Sequence, residues 1–427
     1  MLGTLMLVLF LCLFATVPIA LSLGISTLGV FATQFPNMPM ANNLAQAMIT
    51  SADSFPLMAI PFFMLVGTLM EKTGIARRLV DIASILTGDT PGGLGMAAIV
   101  ASMFFAAISG SGPATAAAIG GIMLPAMIEQ KYSRSYSVGI VSGASIIGPI
   151  IPPSIPMIMY GVTVGVSVTK MFTAGFIPGF MLGGGLCLYN YFVSKKRGYR
   201  GNTVTMTRKE KINTFKGAIP AILMPVIVLG GIYGGIFTPT ECSVVGVVYT
   251  LLVGKFIYHE LTFKKLKESL VEAAITSATI MIIFGPATTF GRLLTIGKIP
   301  TMVTDAMLSF STNKYVIMLI INVLLLIIGM FIDTNSSIVL FAPLFVPILT
   351  SLGYDIYYVG VIMVVNLCIG MLTPPLGANL FVAMRIGNIS LEEALKEALP
   401  VIGVEILILA VMIFCPWLIT FLPNLLM

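Results

Sequence analysis

Long apolar stretches follow one another along this chain and are separated by short polar loops. Leu2 to Phe31, Ile219 to Tyr233 and Tyr315 to Ile332 are long or dense enough in apolar residues to cross or re-enter a hydrocarbon core of roughly 30 Å. About a dozen such segments occur, and they are apolar on all sides rather than at alternate positions. Because a backbone in lipid must satisfy its own hydrogen bonds, we predict an all-α, polytopic membrane protein.

The composition supports this prediction and excludes other classes. Of 427 residues, 57% are hydrophobic and 9% charged, against about 45–50% and about 25% in soluble domains. The net charge of +6 comes from basic residues in short loops, so we expect a lipid bilayer and no nucleic acid as partner. The chain has no Walker A sequence and no paired catalytic groups, which argues against a primary pump and against an enzyme.

The second half of the chain repeats a pattern of the first half. At a constant offset of 222 residues, the Pro152-Pro153 pair coincides with Pro374-Pro375, and Gly148 coincides with Gly370. The match needs no gap between Ser111 and Pro178. Since many secondary transporters consist of two repeats, we predict a first repeat over 1–194, a linker over 195–216 and a second repeat over 217–427.

Basic residues indicate how the two repeats are oriented. The linker is rich in Lys and Arg and is therefore predicted to be cytoplasmic. Threading from it places 19 of the 23 Lys and Arg residues in the cytoplasm and leaves Lys170, Arg292, Lys298 and Lys314 outside. This asymmetry predicts periplasmic termini and inverted repeats in the inner membrane of a bacterium.

Each half is predicted to contain two spans, an amphipathic surface segment, a re-entrant helical hairpin, a broken helix and a closing span. The hairpins cover about 93–128 and about 315–350, and the broken helices cover about 135–165 and about 356–386. The hairpin tips are the polar segments 109–113 (SGSGP) and 333–337 (DTNSS).

These tips and breaks are the segments where chemistry is expected. A Pro-Pro pair frees carbonyl oxygens from helical bonding, and freed carbonyls at helix ends can coordinate Na⁺. The N-termini of the second hairpin helices suit an anionic substrate. Each half would therefore supply one cation site and one wall of a substrate site. The alternative interpretation is close helix packing at small residues and simple proline kinks.

Asp333 is the strongest single candidate, because an ionisable residue at membrane depth is energetically costly and usually has a function. It is also suited to cap the second hairpin helix, and the two roles are compatible. Asn366 and Asn379 flank the second break and offer neutral oxygens or bonds to freed backbone groups. Arg292 is a candidate for a substrate carboxylate or a partner protein, although a snorkelling Arg would look the same.

At these residues the chain resembles the large membrane subunit of tripartite ATP-independent periplasmic (TRAP) transporters, the DctM-like family. The resemblance covers nearly the whole length and rests on Ala106 to Gly121, Ser142 to Ser154, the Phe331 to Pro347 hairpin and Leu372 to Asn379. It implies an elevator-type ion transporter with two or more Na⁺ sites. It also implies a small four-helix membrane subunit and a soluble periplasmic binding protein that delivers an organic acid.

The family's ion sites fall mainly on backbone oxygens in this sequence. The resemblance places them at Ser109, Ser111, Gly148, Ile151, Pro153, Asp333, Gly370, Thr373 and Pro375. The candidate substrate contacts are Gly112, Thr115, Ser154, Asn335, Ser336, Asn379 and Arg292. The chain is most similar in overall impression to the sialic-acid members, which predicts N-acetylneuraminate as substrate.

Other functions remain open at this point. A C4-dicarboxylate TRAP subunit fits the same motifs, and a stand-alone ion-coupled carboxylate symporter has the same inverted-repeat plan. The symporter would transport without a delivered substrate. A passive scaffold subunit would leave the polar tips without a purpose.

Overall fold

A computed structural model confirms the all-α, polytopic prediction. It describes residues 2–34, 42, 46–47, 49–51, 53–200, 207–311 and 313–427. Within these residues the chain forms helices and short connections and no β-strand. Eight helical stretches of the described chain are long and apolar enough to cross a membrane, and several shorter apolar helices lie between them.

The first half contributes the helices up to the linker. They are α1 (Leu2–Phe14), α2 (Ile19–Gln34), α3 (Ala59–Lys72), α4 (Ile75–Thr87), α5 (Gly93–Ser109), α6 (Gly112–Glu129), α7 (Arg134–Ser145), α8 (Ile155–Val164) and α9 (Val168–Arg197). A single 3₁₀ turn, Phe55–Met58, precedes α3.

The second half contributes the remaining helices. They are α10 (Arg208–Tyr233), α11 (Pro239–Leu252), α12 (Phe263–Met281), α13 (Phe284–Ile296), α14 (Ile299–Phe310), α15 (Lys314–Phe331), α16 (Thr334–Ser351), α17 (Ile356–Gly370), α18 (Ala378–Gly387), α19 (Leu391–Phe414) and α20 (Trp417–Leu426). A π-helical turn, Val253–Ile257, extends α11. The predicted linker is partly helical, since α9 ends and α10 begins inside it.

The first apolar stretch, Leu2 to Phe31, is two helices rather than one span. Thr16 adopts a left-handed φ of 59°, and Pro18 directly precedes α2. A left-handed residue ends a helix, and proline cannot donate the backbone hydrogen bond that would continue one. The chain therefore turns between α1 and α2, which pack against each other.

The segment between the first spans and each hairpin is also more extensive than the single amphipathic element we expected. It contains α3 and α4 in the first half and α12, α13 and α14 in the second. Residues Phe263–Ile296 are apolar enough over 18 consecutive positions to count as a membrane span. The start of α12 carries several charged residues, which give the segment as a whole an amphipathic pattern. The sequence pattern therefore did not reveal that its later part is apolar enough for a span.

The two halves interlock at their centre. We call α5 to α8 and α15 to α18 the hairpin unit, because they occupy the predicted hairpins and broken helices. In the hairpin unit, α8 of the first half packs against α16 of the second, and α18 of the second packs against α6 of the first. This exchange of contacts brings the ends of both hairpins into one region.

Ion pairs and cation–π contacts join residues that the charge pattern places on the same side. Arg78 lies 2.9 Å from Glu260, and Arg197 lies 2.7 Å from Glu397, at ends predicted to be cytoplasmic. Lys170 lies 5.1 Å from the ring centroid of Tyr357, at ends predicted to be periplasmic. These contacts are consistent with the inverted topology, which stays a prediction.

Cysteine labelling tests that topology. In a variant lacking the five native cysteines, we expect a cysteine at Asn202 to react from the cytoplasm and one at Asn424 to react from the periplasm. Asn202 lies outside the described residues, and Asn424 lies on α20. Inside-out and right-side-out vesicles with an impermeant maleimide measure this. Labelling of both positions from one side would exclude the inverted arrangement.

Candidate functional site

A central cavity of about 550 Å³ lies where the hairpin tips meet. Its walls come from both tips, both helix breaks and the helices α3 and α12. The lining residues used below are Thr68, Glu71, Ser109, Gly110, Ser111, Gly112, Pro113, Pro149, Glu272, Thr276, Asp333, Thr334, Asn335 and Met371. Two segments that are more than 200 residues apart in sequence thus face the same space.

The first tip is shaped by glycine and proline. Gly110 ends α5 with a φ of 60°, which favours glycine, and Pro113 lies in the first turn of α6. The Ile155 backbone N–H donates to the Gly110 carbonyl at 3.4 Å. The tip is therefore tied to the first helix break, and the free N-terminal end of α6 opens on the cavity.

Oxygen atoms cluster beside this tip. The Thr115 hydroxyl lies 3.2 Å from the Ser109 hydroxyl and donates to the Ser111 carbonyl at 2.7 Å. A Cβ atom on Gly148 would lie 2.5 Å from the Thr115 hydroxyl, 2.7 Å from the Ser111 carbonyl and 3.0 Å from the Ser145 carbonyl. Hydroxyl and carbonyl oxygens are the ligands that hard cations prefer. We call Ser109, Ser111, Thr115 and Ser145, together with Gly148, the first oxygen cluster.

Three other predicted residues of the first half have structural contacts. The Ser154 hydroxyl accepts from the Met157 N–H at 3.2 Å and donates to the Pro149 carbonyl at 2.5 Å, so it caps α8. A Cβ on Gly179 would lie 2.3 Å from the Ile151 side chain, which places that side chain against α9. The Pro153 carbonyl lies beside Gly110, and the Pro152-Pro153 bond is cis.

Asp333 caps the second tip. Its carboxylate accepts from the Ser336 N–H at 3.1 Å and from the Ser336 hydroxyl, so both predicted residues take part in the cap of α16. The carboxylate also lines the cavity and forms no ion pair within the described chain. Within the described chain, the helix N-terminus and these two donors offset its charge.

The second break is packed closely against its hairpin. A Cβ on Gly370 would lie 2.6 Å from the Gly329 backbone, and the Leu376 N–H donates to the Met330 carbonyl at 2.9 Å. The Thr373 N–H donates to the Gly370 carbonyl at 2.9 Å. Pro375 follows a cis bond, as in the first half.

The asparagines around the second break differ in their contacts. Asn366 donates to Asn322 at 2.7 Å and 3.0 Å, which ties α17 to α15. Asn379 is fully buried, and neither its amide oxygen nor its amide nitrogen has a hydrogen-bond partner among the described residues. A Cβ on Gly112 would lie 2.6 Å from that amide, and the Asn335 side-chain oxygen is likewise unpartnered. Asn335 lines the cavity, and an unpartnered buried polar atom there is suited to a polar ligand, while Asn379 lies behind the wall against Gly112.

Two carboxylates of the cavity wall, Glu71 and Glu272, are not among the residues predicted from the sequence. Glu71 on α3 and Glu272 on α12 face the tips, and Lys72 lies 3.1 Å from Glu272 and 3.6 Å from Glu268. Glu71 and Glu272 fall within candidate membrane spans, so the rule that singled out Asp333 applied to them as well. Among the described residues, the cavity is lined by three carboxylates and by no Lys or Arg.

Arg292 lies apart from this site. It is on α13, which packs against α2 and α16, and it does not line the cavity. The remaining candidates are brought to the two tips and the two breaks.

An all-helical membrane protein whose polar tips converge on one central cavity has the architecture of a transporter. The family model for the tripartite ATP-independent periplasmic transporter, DctM component, matches residues 6–418. The chain therefore belongs to this family of transporter permeases and is not an enzyme.

The relatives differ in the substrate that their names give. The chain is 44% identical over 404 residues to an isethionate TRAP transporter permease, DctMQ, of Oleidesulfovibrio alaskensis; the match covers 94% of the chain and 63% of that relative. It is 38% identical to the sialic acid permease SiaT of Haemophilus influenzae, over 99% of the chain and 68% of SiaT. It is 37% identical to the C4-dicarboxylate large permease DctM of Vibrio cholerae, over 96% and 95%.

The fold is shared with a more distant solved structure. The crystal structure of the Alcanivorax borkumensis YdaH transporter matches with a TM-score of 0.62 and 16% identity, over 92% of this chain and 95% of that one. At that identity the likeness concerns the fold alone.

Proposed function

We propose that this chain is the large translocating subunit of a Na⁺-coupled secondary transporter that imports an organic acid across the bacterial inner membrane. A periplasmic binding protein delivers the acid, and a small four-helix membrane subunit completes the permease. The observation that supports this most strongly is the convergence of both hairpin tips, with their oxygen groups and helix N-termini, on one cavity.

The charges of the cavity favour coupling to a cation. Asp333 and Glu71, with Glu272 partly neutralised by its ion pair with Lys72, give the wall a negative potential that attracts Na⁺ and opposes an anion. Na⁺ at the first oxygen cluster and near Asp333 offsets this repulsion and leaves the N-termini of α6 and α16 to receive the carboxylate. Binding of the acid therefore depends on Na⁺.

Movement of the hairpin unit supplies alternating access. The interlocked tips travel as one body, carrying cations and acid past the surrounding helices in an elevator motion. The cavity walls formed by α3 and α12 belong to the surrounding helices, so Glu71 and Glu272 face the moving tips.

N-acetylneuraminate is the substrate we propose, with a C4-dicarboxylate as the second candidate. The SiaT and DctM relatives are equally distant, at 38% and 37% identity. The isethionate permease at 44% adds a sulfonate to the acids that the test includes. All three candidates carry the anionic group that the helix N-termini would bind.

Uptake into proteoliposomes tests the proposal. We expect labelled acid to accumulate only when the chain, a small subunit and a cognate binding protein are all present and when a Na⁺ gradient points inward. Replacing Na⁺ with choline should abolish uptake. Uptake by this chain alone would favour the stand-alone symporter, and uptake that persists in choline would refute Na⁺ coupling.

A further inference from the structure

One buried acid has no role in the transport mechanism proposed above. Glu405 lies in the middle of α19, the closing span of the second half, and its side chain is 0% exposed. Neither carboxyl oxygen has a hydrogen-bond partner in the part of the chain that the structure describes. It does not line the central cavity, and no ion pair of the described chain includes it.

Glu405 lies where helices of the two halves pack against each other. A Cβ on Gly143 of α7 would lie 3.1 Å from a Glu405 oxygen, so the carboxyl rests against the first broken helix where glycine leaves room. Its helix α19 also packs against α17, the second broken helix, which carries the Cys368 thiol. That thiol lies 3.9 Å from the Thr334 hydroxyl, next to Asp333 at the second tip.

Among the described residues, no ion pair or hydrogen bond stabilises the charged form of this carboxyl. The helices packed against α19 are α7, α9, α17 and α18. Their titratable groups are Arg134, Tyr136, Lys170, Cys187, Tyr189, Tyr191, Lys195, Lys196, Arg197, Tyr357, Tyr358, Cys368 and Arg385. None of these forms an ion pair or a hydrogen bond with Glu405 in the described structure. An isolated buried carboxylate is far costlier than the neutral acid, so such a group binds a proton.

A metal ion is the less suitable occupant. Hard cations take about six or more oxygen ligands, and the described residues contain no group of three or more His, Cys, Asp or Glu side chains that could hold a metal. Gly143, which lies against the Glu405 carboxyl, has no side-chain oxygen to contribute to such a shell.

We propose that Glu405 is a proton-binding site between the two broken helices, and that transport requires its proton. When the proton passes to water, the carboxylate is left without a partner between α7 and α17, and their packing is disturbed. The protein is thereby inactivated as the pH rises, independently of the Na⁺ sites.

Infrared spectroscopy of the whole protein in lipid tests the proton directly. We expect a protonated-carboxyl carbonyl band at neutral pH that disappears at alkaline pH, is absent in Glu405→Gln, and is unchanged by saturating Na⁺. Absence of the band in the native protein would overturn the proposal. Loss of the band on adding Na⁺ would also overturn it, in favour of a cation site.

Uptake measurements test whether transport requires the proton. This second test rests on the proposed function, whereas the infrared test does not. With the acid that is taken up and saturating Na⁺, we expect native uptake to fall at least tenfold at alkaline pH and Glu405→Gln to keep its activity there. Glu392→Gln, the same change at an exposed position of α19, should keep the native profile. An alkaline loss that is unchanged in Glu405→Gln would overturn the requirement for the proton.

If Glu405→Gln fails to fold, a second variant still tests whether the carbonyl band belongs to Glu405. Glu405→Asp keeps an acid in the same place, and its carbonyl band should move in frequency relative to the native band. A band that stays unmoved in Glu405→Asp belongs to another carboxyl group, which would overturn the assignment.

Discussion

Asp333→Asn is expected to weaken the apparent Na⁺ affinity roughly tenfold, a loss of about 1.4 kcal/mol. Asn keeps the size of the side chain and an oxygen that accepts from the Ser336 N–H, and Asn and Asp are similar N-caps. The cap should therefore survive while the negative charge at the cavity is removed. Uptake measured against external Na⁺ should recover partly at high concentration.

A second capping aspartate provides the control for this variant. Asp355 begins α17, accepts from the N–H groups of Tyr357 and Tyr358, and does not line the cavity. Asp355→Asn should leave the Na⁺ dependence unchanged. If Asp333→Asn folds and shows native Na⁺ dependence, then Asp333 is a structural cap and its charge has no part in ion binding.

The symmetry-related position should give a smaller effect. Ser111 begins α6 as Asp333 begins α16, but its side chain makes no capping hydrogen bond. The backbone carbonyl of Ser111, rather than its hydroxyl, belongs to the first oxygen cluster. We expect Ser111→Ala to reduce Na⁺ affinity less than Asp333→Asn, as seen in the same uptake titration.

The sequence predicts the architecture because the signals for it are local. Apolar length and the matched Pro-Pro pairs are properties of consecutive residues, and helix ends follow from residues such as Gly110 and Asp333. The tips could be recognised as a candidate site because their polarity contrasts with the apolar helices on either side.

The rest of the site depends on contacts between distant segments. Glu71 and Glu272 are 201 residues apart, and only the packing of α3 against α12 places both at the tips. The roles of Ser154 and Asn366 as structural bonding partners also depend on which groups lie nearby. A single sequence does not give such distances directly. Arg292 was therefore among the residues predicted from the sequence, and Glu71 and Glu272 were not.

Gly148→Ala is expected to abolish high-affinity Na⁺ binding at the first oxygen cluster. The new methyl carbon would lie 2.5 Å from the Thr115 hydroxyl and 2.7 Å from the Ser111 carbonyl, closer than any ordinary carbon contact. The oxygens must move apart, and overpacking of this kind costs about 1–3 kcal/mol. Because cation coordination depends on where the oxygens lie, we expect a loss of affinity greater than tenfold.

Gly121→Ala is the matched control, since Gly121 lies on α6, the hairpin helix that carries Thr115, and a Cβ there would meet nothing within 4 Å. It should keep native uptake and native Na⁺ affinity. Gly148→Ala should differ from it in Na⁺ titrations of uptake and in Na⁺-dependent thermal stabilisation, because a ligand that binds only the folded state raises the melting temperature. If Na⁺ stabilises folded Gly148→Ala as strongly as the control, the cluster around Thr115 does not bind the ion.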